Sequence, residues 1–345
     1  MNSDRIISST DRILVTGSNG FIGVKVVESL LEHGFANLRC FVRPSSKLDN
    51  LKKSLEKYPA GRAAEIISGD LLSHDDCRKA AEGVSVIIHL AAGFDKSFAG
   101  AFMNSALTTR NLVEAFRELG QPRRFVNVSS FAVYSNLKMA RGALLDETSP
   151  LEDGPQERFD AYGFGKLKQE EIVREQGRTR GLPWVILRPG MVYGPGKSEL
   201  SGRVGINTFG FFIHLGGGNE LPMTFVDNCA EAIVLAAFKP GVDGEIFNVV
   251  DDDRLTSREF LAQRKAAKDF FSIGMPYPLA RLGCQLWENI SRKRHGQLPP
   301  VFNLRRCAAE WQGNSYTNVK LHQRLGWKQK VGLAEAMNSF LAQYR

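Results

Sequence analysis

No apolar run in this chain approaches the ~20 residues of a membrane span; the most apolar stretch, Val84 to Ala92, is the length of a strand. Cysteine is scarce. The five present (Cys40, Cys77, Cys229, Cys284, Cys307) are scattered, odd in number and never in a Cys-x-x-Cys pair. That pattern argues for free thiols in a reducing cytoplasm and against a structural zinc site. The six histidines show no metal-ligand spacing either, so no metal is expected. Met1 to Arg5 offers no basic region leading into an apolar run, so no secretory leader is expected and a cytoplasmic location fits. Nucleic-acid motifs and interleaved aromatic series are also missing, so no nucleic-acid partner is expected. What remains is an ordinary globular composition, 43% hydrophobic and 24% charged over 345 residues, enough for one large domain or two smaller ones sharing an interface.

The formal net charge of +8 is unevenly placed. Residues 262–306 hold nine Lys/Arg against Asp269 and Glu288, a local charge of +7. A solvated or ligand-facing surface is the favoured reading. Within this stretch, Met275 to Trp287 is apolar and precedes Arg292-Lys293-Arg294. Core packing, or the mouth of a site for an apolar substrate, is preferred there over a weak membrane-surface contact.

The amino end is richer. Ile13-Leu14-Val15-Thr16 reads as a strand and runs into Gly17, Gly20 and Gly23, after which Val24, Val27, Leu30 and Leu31 share one helical face. Strand, glycine turn and helix in that order suit a pyrophosphate. The glycines permit a tight turn and close backbone approach, and the first helical N–H groups point at the anion. Strands follow at 38–42, 65–68, 84–90, 124–129, 184–187 and 245–250. Helices alternate with them at about 46–57, 73–82, 100–119, 160–177 and 225–238. This α/β alternation predicts a Rossmann-type doubly wound parallel sheet, with its ligand site at the carboxyl ends of the strands. Residues 10–190, with 225–250 returning, would form the dinucleotide-binding domain. Residues 191–224 and 251–345 would form a smaller, mainly helical substrate lobe. Ser73 should cap one helix and Asp227 or Asn228 another. His89 reads as a core histidine.

Tyr162 and Lys166 stand four apart on one helical face. A free phenol has a pKa near ~10, so it needs a neighbouring cation to serve as a base at neutral pH. Lys166 and an oxidised nicotinamide ring would provide one. A hydroxyl from Ser129-Ser130, at a strand end, could hold a substrate oxygen while the tyrosine exchanges its proton.

With these features, the chain resembles the extended short-chain dehydrogenase/reductases of the NAD-dependent epimerase/dehydratase family. That group contains nucleotide-sugar epimerases and dehydratases, dihydroflavonol-type reductases and 3β-hydroxysteroid dehydrogenases. The resemblance rests on TGSNGFIG (16–23), GDL (69–71), HLAA (89–92), VSSFAVY (128–134), YGFGK (162–166), LRPGMVYGPG (187–196) and FVDNCAEAIVLA (225–236). It implies Ser130, Tyr162 and Lys166 as the catalytic set, with Ser130 favoured over Ser129 because it precedes Tyr134 by four residues. It also places Gly17, Gly20, Phe21, Ile22 and Gly23 under the pyrophosphate, and Asp70 and Leu71 at the adenine. Ala91 and Ala92 would lie beside the ribose, Lys166 on the nicotinamide ribose, and Pro189 and Val192 beside the nicotinamide. Related proteins often dimerise through helices near 104–119 and 160–177, so a homodimer is expected.

Where NAD-preferring relatives carry an acid after the second strand, this chain has Arg43 and Lys47. A guanidinium favours a 2′-phosphate, so NADP is expected in preference to NAD. The Asp-Glu pair that dehydratases place after the catalytic hydroxyl is Phe131-Ala132 here, which argues against water elimination. An NAD(P)-dependent oxidoreductase acting on a secondary alcohol or ketone is therefore the leading reading. A nucleotide-sugar epimerase with retained cofactor is the alternative, favoured by Arg203, Arg254, Arg305 or Arg306 as partners for a diphosphate. A non-catalytic dinucleotide sensor or scaffold is the third, set against by the intact Ser130, Tyr162 and Lys166. Selectivity for a small-molecule substrate would lie in loops 94–100, 135–155 and 196–222.

Overall fold

Seven short, largely apolar segments pair in parallel: β1 (Ile13–Thr16), β2 (Leu38–Val42), β3 (Glu65–Ser68), β4 (Val86–His89), β5 (Arg124–Val128), β6 (Trp184–Pro189) and β7 (Glu245–Val249). Their order in the sheet is β7-β6-β5-β4-β1-β2-β3. The computed structural model describes residues 4–93, 95–197, 200–208, 210–294 and 297–344. The main helices between the strands are α1 (Phe21–Glu32), α2 (Asp49–Glu56), α3 (His74–Ala81), α4 (Thr108–Leu119), α5 (Ala161–Arg180) and α6 (Val226–Phe238). All neighbouring strands run parallel, and the connection from β3 passes back over β2 and β1 to β4, the reversal of direction that a doubly wound sheet requires.

Alternation along each strand divides the core into two layers. Ile13, Val15, Val86, Ile88, Val126, Val185 and Leu187 pack with Val26 and Leu30 of α1 and Ile233 and Ala236 of α6. Leu14, Ile87, Phe125 and Ile186 pack on the other face with Cys77, Ala80, Leu112 and Phe116. Each buried aliphatic or aromatic side chain contributes roughly 1.5–3 kcal/mol, so both faces must be covered. Sheet polarity then puts Gly17, Arg43, Gly69, Leu90, Ser129 and Gly190 together along one edge, each directly following a strand.

Several local expectations need correction. The run expected at 100–119 is helical from Phe98, but it winds as a π-helix over Phe102–Leu107 before α4. Ser73 caps α3 through Asp76 N as expected. Asn228 does not cap α6: its side chain donates to Val331 O and accepts from Lys330 N and Val331 N, tying the carboxyl-terminal segment down. Asp227 pairs with Lys25 at 3.0 Å, and Asp251 accepts from Phe225 N at 2.8 Å in the capping place. Beyond Gly190 the structure adds helices at Ser257–Ala267, Tyr277–Lys293, Leu304–Trp311 and Leu333–Leu341. The carboxyl-terminal part also contains a three-stranded sheet of Gly205–Thr208, Phe211–His214 and Ser272–Gly274 that the sequence did not announce. Phe94, Ser198, Glu199 and Phe209, which belong to the expected selectivity loops, lie outside the described residues.

His89 is a core histidine. It is fully buried between Thr16 Oγ1 at 2.8 Å and Thr109 Oγ1 at 3.0 Å, and burial pushes its pKa down to about 3. Among the described residues no helix is long and apolar enough to cross a membrane, and no His/Cys/Asp/Glu cluster could hold a metal ion.

Candidate active site

The glycine turn is built by steric necessity. Gly17 has φ +68°, and a Cβ added to Gly23 would lie 2.1 Å from Gly17 O. Gly20 N donates to Gly17 O at 3.0 Å, so the turn closes on itself and aims the start of α1 along the sheet edge. No side chain caps α1, and Gly20, Phe21, Ile22 and Gly23 line the cleft beyond it. A helix start kept clear of side chains is a cradle into which a pyrophosphate fits.

The cleft, of about 1150 Å³, runs from this turn to Arg306, Glu310 and Phe340 near the carboxyl end. It brings together Gly17, Gly20, Phe21, Ile22, Gly23, Ala92, Ser130, Tyr162, Lys166, Pro189 and Val192. Ala91 sits against the turn, its N donating to Thr16 Oγ1 at 3.3 Å. Arg43 and Lys47 are exposed on the loop after β2, and Asn19 of the glycine turn donates to Lys47 O at 3.4 Å. Asp70 is exposed after β3 and accepts from Leu72 N at 2.9 Å. The Leu71 side chain is buried in the core, and its carbonyl accepts from Asn111 Nδ2 at 3.1 Å.

Helix α5 sets the reacting end. Asp160 caps it by accepting from Gly163 N at 2.8 Å, which fixes Tyr162 in the first turn and Lys166 in the next. Gly165 lets the helix approach the π-helical segment closely, since a Cβ there would lie 3.0 Å from Ser105 Oγ. The Lys166 ammonium donates to Val128 O at 2.7 Å and lies 6.0 Å from the Tyr162 ring centre. Tyr162 is hydrogen-bonded to Ser130, whose Oγ also accepts from Ala132 N at 3.2 Å. Ser129 differs. Its hydroxyl donates inward to Glu170 Oε1 at 2.6 Å, leaving Ser130 as the serine that meets the phenol.

The electrostatics depart from what the Tyr-Lys spacing suggests. Burial pushes the Tyr162 phenol up to about 12, with the Ser130 hydrogen bond acting against it and Asp160 adding to it. Burial also drives the Lys166 ammonium down to about 7, opposed by Glu170. The protein alone therefore holds the phenol protonated and the amine near its midpoint, rather than supplying a permanent cation that acidifies the tyrosine.

Four residues that shape this site were not singled out from the sequence. Glu170 continues the Tyr162–Lys166 ladder by one turn and accepts from Arg188 Nε at 2.9 Å and Nη2 at 2.7 Å. Arg188, fully buried at the end of β6, also donates to Tyr134 OH at 2.9 Å. Burial opposes ionisation of Glu170, yet Arg188, Ser129 and Arg174 hold its pKa below the usual range. Arg158 pairs with Asp160 and donates to Tyr134 O and Ala132 O, joining the start of α5 to the Ser130 loop. Between them Phe159 lines the cleft with φ +58°, the one non-glycine residue with positive φ among those described. Such a conformation is costly for a bulky side chain and is held here by its pinned neighbours. The four-residue ladder was a readable signal for Glu170; nothing local announced the others.

The basic residues divide. Arg203 and Arg306 line the cleft, as does Glu310. Arg254 is engaged with Glu220, and Arg305 with Glu152, Asp153 and Glu157. Neither of those two is among the cleft's lining residues.

A pH dependence follows from Lys166, whose pKa is about 7 folded against a reference of 10.5. In that interval the unfolded chain binds more protons, so this group's penalty is full below about pH 7 and fades as pH rises. Urea unfolding of the dinucleotide-free protein should show stability gained between neutral pH and about pH 10 that Lys166→Met abolishes. An equal gain in both proteins contradicts the assignment.

The pattern of the NAD dependent epimerase/dehydratase family matches residues 13–249. A 3-beta-hydroxysteroid dehydrogenase from Mycolicibacterium neoaurum is 26% identical over 100% of this chain and 94% of its own. An uncharacterised UDP-glucose epimerase of Bacillus subtilis (strain 168) is 31% identical over 70% of this chain and 78% of its own. Among solved structures, the dTDP-glucose 4,6-dehydratase DesIV from Streptomyces venezuelae, with NAD and TYD bound, superposes with TM-score 0.72 at 22% identity. That match covers 97% of each chain, and at this identity it speaks for the fold. With most of its length inside the family pattern, the chain belongs to the NAD-dependent epimerase/dehydratase family and is an enzyme of the extended short-chain dehydrogenase/reductase type.

Proposed function

We propose that this enzyme transfers hydride between a nicotinamide dinucleotide and the carbon of a secondary alcohol or ketone, with Ser130, Tyr162 and Lys166 as its catalytic residues. The observation that carries this reading is the hydrogen bond between Tyr162 and Ser130 inside the cleft that the glycine turn opens. When bound, the dinucleotide supplies the hydride and, in its oxidised form, a positive ring charge. Ser130 holds the substrate oxygen by its hydroxyl. Tyr162, protonated at rest, gives its phenolic proton to a carbonyl oxygen in reduction and takes it back from an alcohol in oxidation. Lys166, anchored on Val128 O, stabilises the phenolate by taking up charge beside it and binds the nicotinamide ribose. Gly17, Gly20, Phe21, Ile22 and Gly23 hold the pyrophosphate, Ala91 and Ala92 lie beside the ribose, Asp70 and Leu71 meet the adenine, and Pro189 and Val192 flank the nicotinamide.

A nucleotide-sugar epimerase remains the second reading, favoured by the Bacillus relative and by Arg203 and Arg306 in the cleft. Capture of Arg254 and Arg305 by acids weakens it, and the full-length match to a steroid dehydrogenase favours net redox chemistry on an apolar ketone or alcohol. Residues 10–190 with 225–250 would act as the nucleotide domain, and 191–224 with 251–345 as the substrate lobe. The molecule would work as a homodimer through the faces of 104–119 and 160–177.

Following NAD(P)H absorbance across apolar ketones and nucleotide-sugars tests this directly. Net oxidation of NAD(P)H should accompany turnover, and Tyr162→Phe should lower kcat about a hundred- to ten-thousandfold while dinucleotide binding persists. Unchanged turnover in Tyr162→Phe removes the phenol from the mechanism, and turnover without any absorbance change favours the epimerase.

For the cofactor, NADP(H) is the proposed preference over NAD(H), supported by two exposed cations, Arg43 and Lys47, on the loop after β2. Arg43→Ala should reduce kcat/KM with NADP(H) about tenfold or more and leave NAD(H) nearly unchanged, since only the former would lose a charge-assisted hydrogen bond. A strong NAD(H) preference untouched by the substitution rules the idea out.

A further inference from the structure

The helix Tyr277–Lys293 carries two apolar faces, and only one of them is covered. Ala280, Cys284 and Ser291 are buried against the lobe, where Cys284 meets Cys307 of the helix Leu304–Trp311. Leu279, Leu282, Leu286 and Ile290, spaced three, four and four apart, form a second stripe on another side of the helix. These four side chains are 48–59% exposed, against the expectation that this segment packs into the lobe. Phe271 and Ile273, at the strand that feeds the helix, are exposed as well.

Charge decides what this stripe suits. Arg281, Arg292, Lys293 and Arg294 are exposed along the helix and at its end. The sole acid of residues 271–294 is Glu288, and it is occupied, pairing with Arg292 and accepting from Leu304 N at 3.1 Å. A helix with aliphatic residues on one side and an excess of exposed cations, four against one acid, matches a bilayer interface bearing anionic headgroups. A protein partner would need acidic groups around an apolar groove, whereas a lipid surface asks only for the stripe and the cations. The position also has a consequence. This helix packs on Leu304–Trp311, and that helix contributes Arg306, Ala309 and Glu310 to the cleft.

We propose that the Leu279/Leu282/Leu286/Ile290 face, with Arg281, Arg292, Lys293 and Arg294, docks this enzyme reversibly on an anionic lipid surface. The wall of the cleft then lies one helix away from the bilayer. Docking of this kind needs no change in the catalytic residues and is independent of the reaction proposed above.

Co-sedimentation of the full-length protein with vesicles tests it, using phosphatidylcholine alone and equal parts phosphatidylcholine and phosphatidylglycerol. The protein should bind the mixed vesicles at low salt and bind pure phosphatidylcholine at least about tenfold more weakly. The double variant Leu282→Ser/Leu286→Ser should lose about tenfold or more on the mixed vesicles, and Arg292→Gln/Lys293→Gln should lose the preference for anionic lipid. Both variants change exposed side chains, so thermal unfolding and NAD(P)H binding should stay at wild-type values. Absence of binding to the mixed vesicles, or binding indifferent to the leucine pair, overturns the proposal. So does light scattering that shows a wild-type dimer turned into a monomer by Leu282→Ser/Leu286→Ser, because the face would then join two copies of the chain.

Discussion

The Lys166 ammonium, buried and donating to Val128 O, is the contact on which the reacting end of the cleft depends. It joins helix α5 to the end of strand β5, and so sets Tyr162, on the helix, opposite Ser130, beyond the strand. Burying a cation is unfavourable unless partners compensate. Here the compensation is layered. Glu170 lies one turn below, is itself held by Arg188 and Ser129, and Arg188 reaches Tyr134, which donates to Asn248 Oδ1 of β7 at 2.6 Å. A chain of buried polar contacts thus runs from Ser129, just after β5, through Glu170 of α5 and Arg188 of β6 to Tyr134 and Asn248 of β7. Loss of one member would leave another charge unpaired in the core.

The two ends of the cleft are made by different physics. At the glycine turn the backbone itself is the binding surface, and side chains are excluded because a Cβ at Gly23 would collide with Gly17 O. At the tyrosine end, side chains act, and burial sets their protonation. A phenol near 12 and an amine near 7 leave the protein's own groups poised as proton donor and weak cation. The additional charge that acidifies the tyrosine in the oxidative direction belongs to the dinucleotide.

Much of this was legible in the sequence, for identifiable reasons. The seven parallel strands and the helices between them follow from apolar runs separated by helical periodicity, and the glycine turn follows from three glycines after a strand. Ser73, capping with Asp76 three residues on, was readable because the interaction is local. Asn228 was not, because its partners lie about a hundred residues away at Lys330 and Val331. The fate of Arg254 and Arg305 was hidden for the same reason: Glu220, Glu152 and Glu157 reach them only through the fold. Helix Tyr277–Lys293 showed its composition but not its orientation, since two apolar faces look alike until one is packed. The short strands of the carboxyl-terminal sheet carry no clear alternation, so their pairing emerges only in three dimensions.

The central claim is that Tyr162 and its neighbours support hydride exchange with a substrate carbon. Reduced dinucleotide deuterated at the transferring position of the nicotinamide, mixed with ketones and nucleotide-sugars, tests it by mass spectrometry of the products. The account predicts one deuterium on the carbinol carbon of a product formed by the wild-type enzyme, and the same product formed about a hundred- to ten-thousandfold more slowly by Tyr162→Phe. Turnover that leaves the label on the added nucleotide, or label transfer by Tyr162→Phe at the wild-type rate, would contradict it.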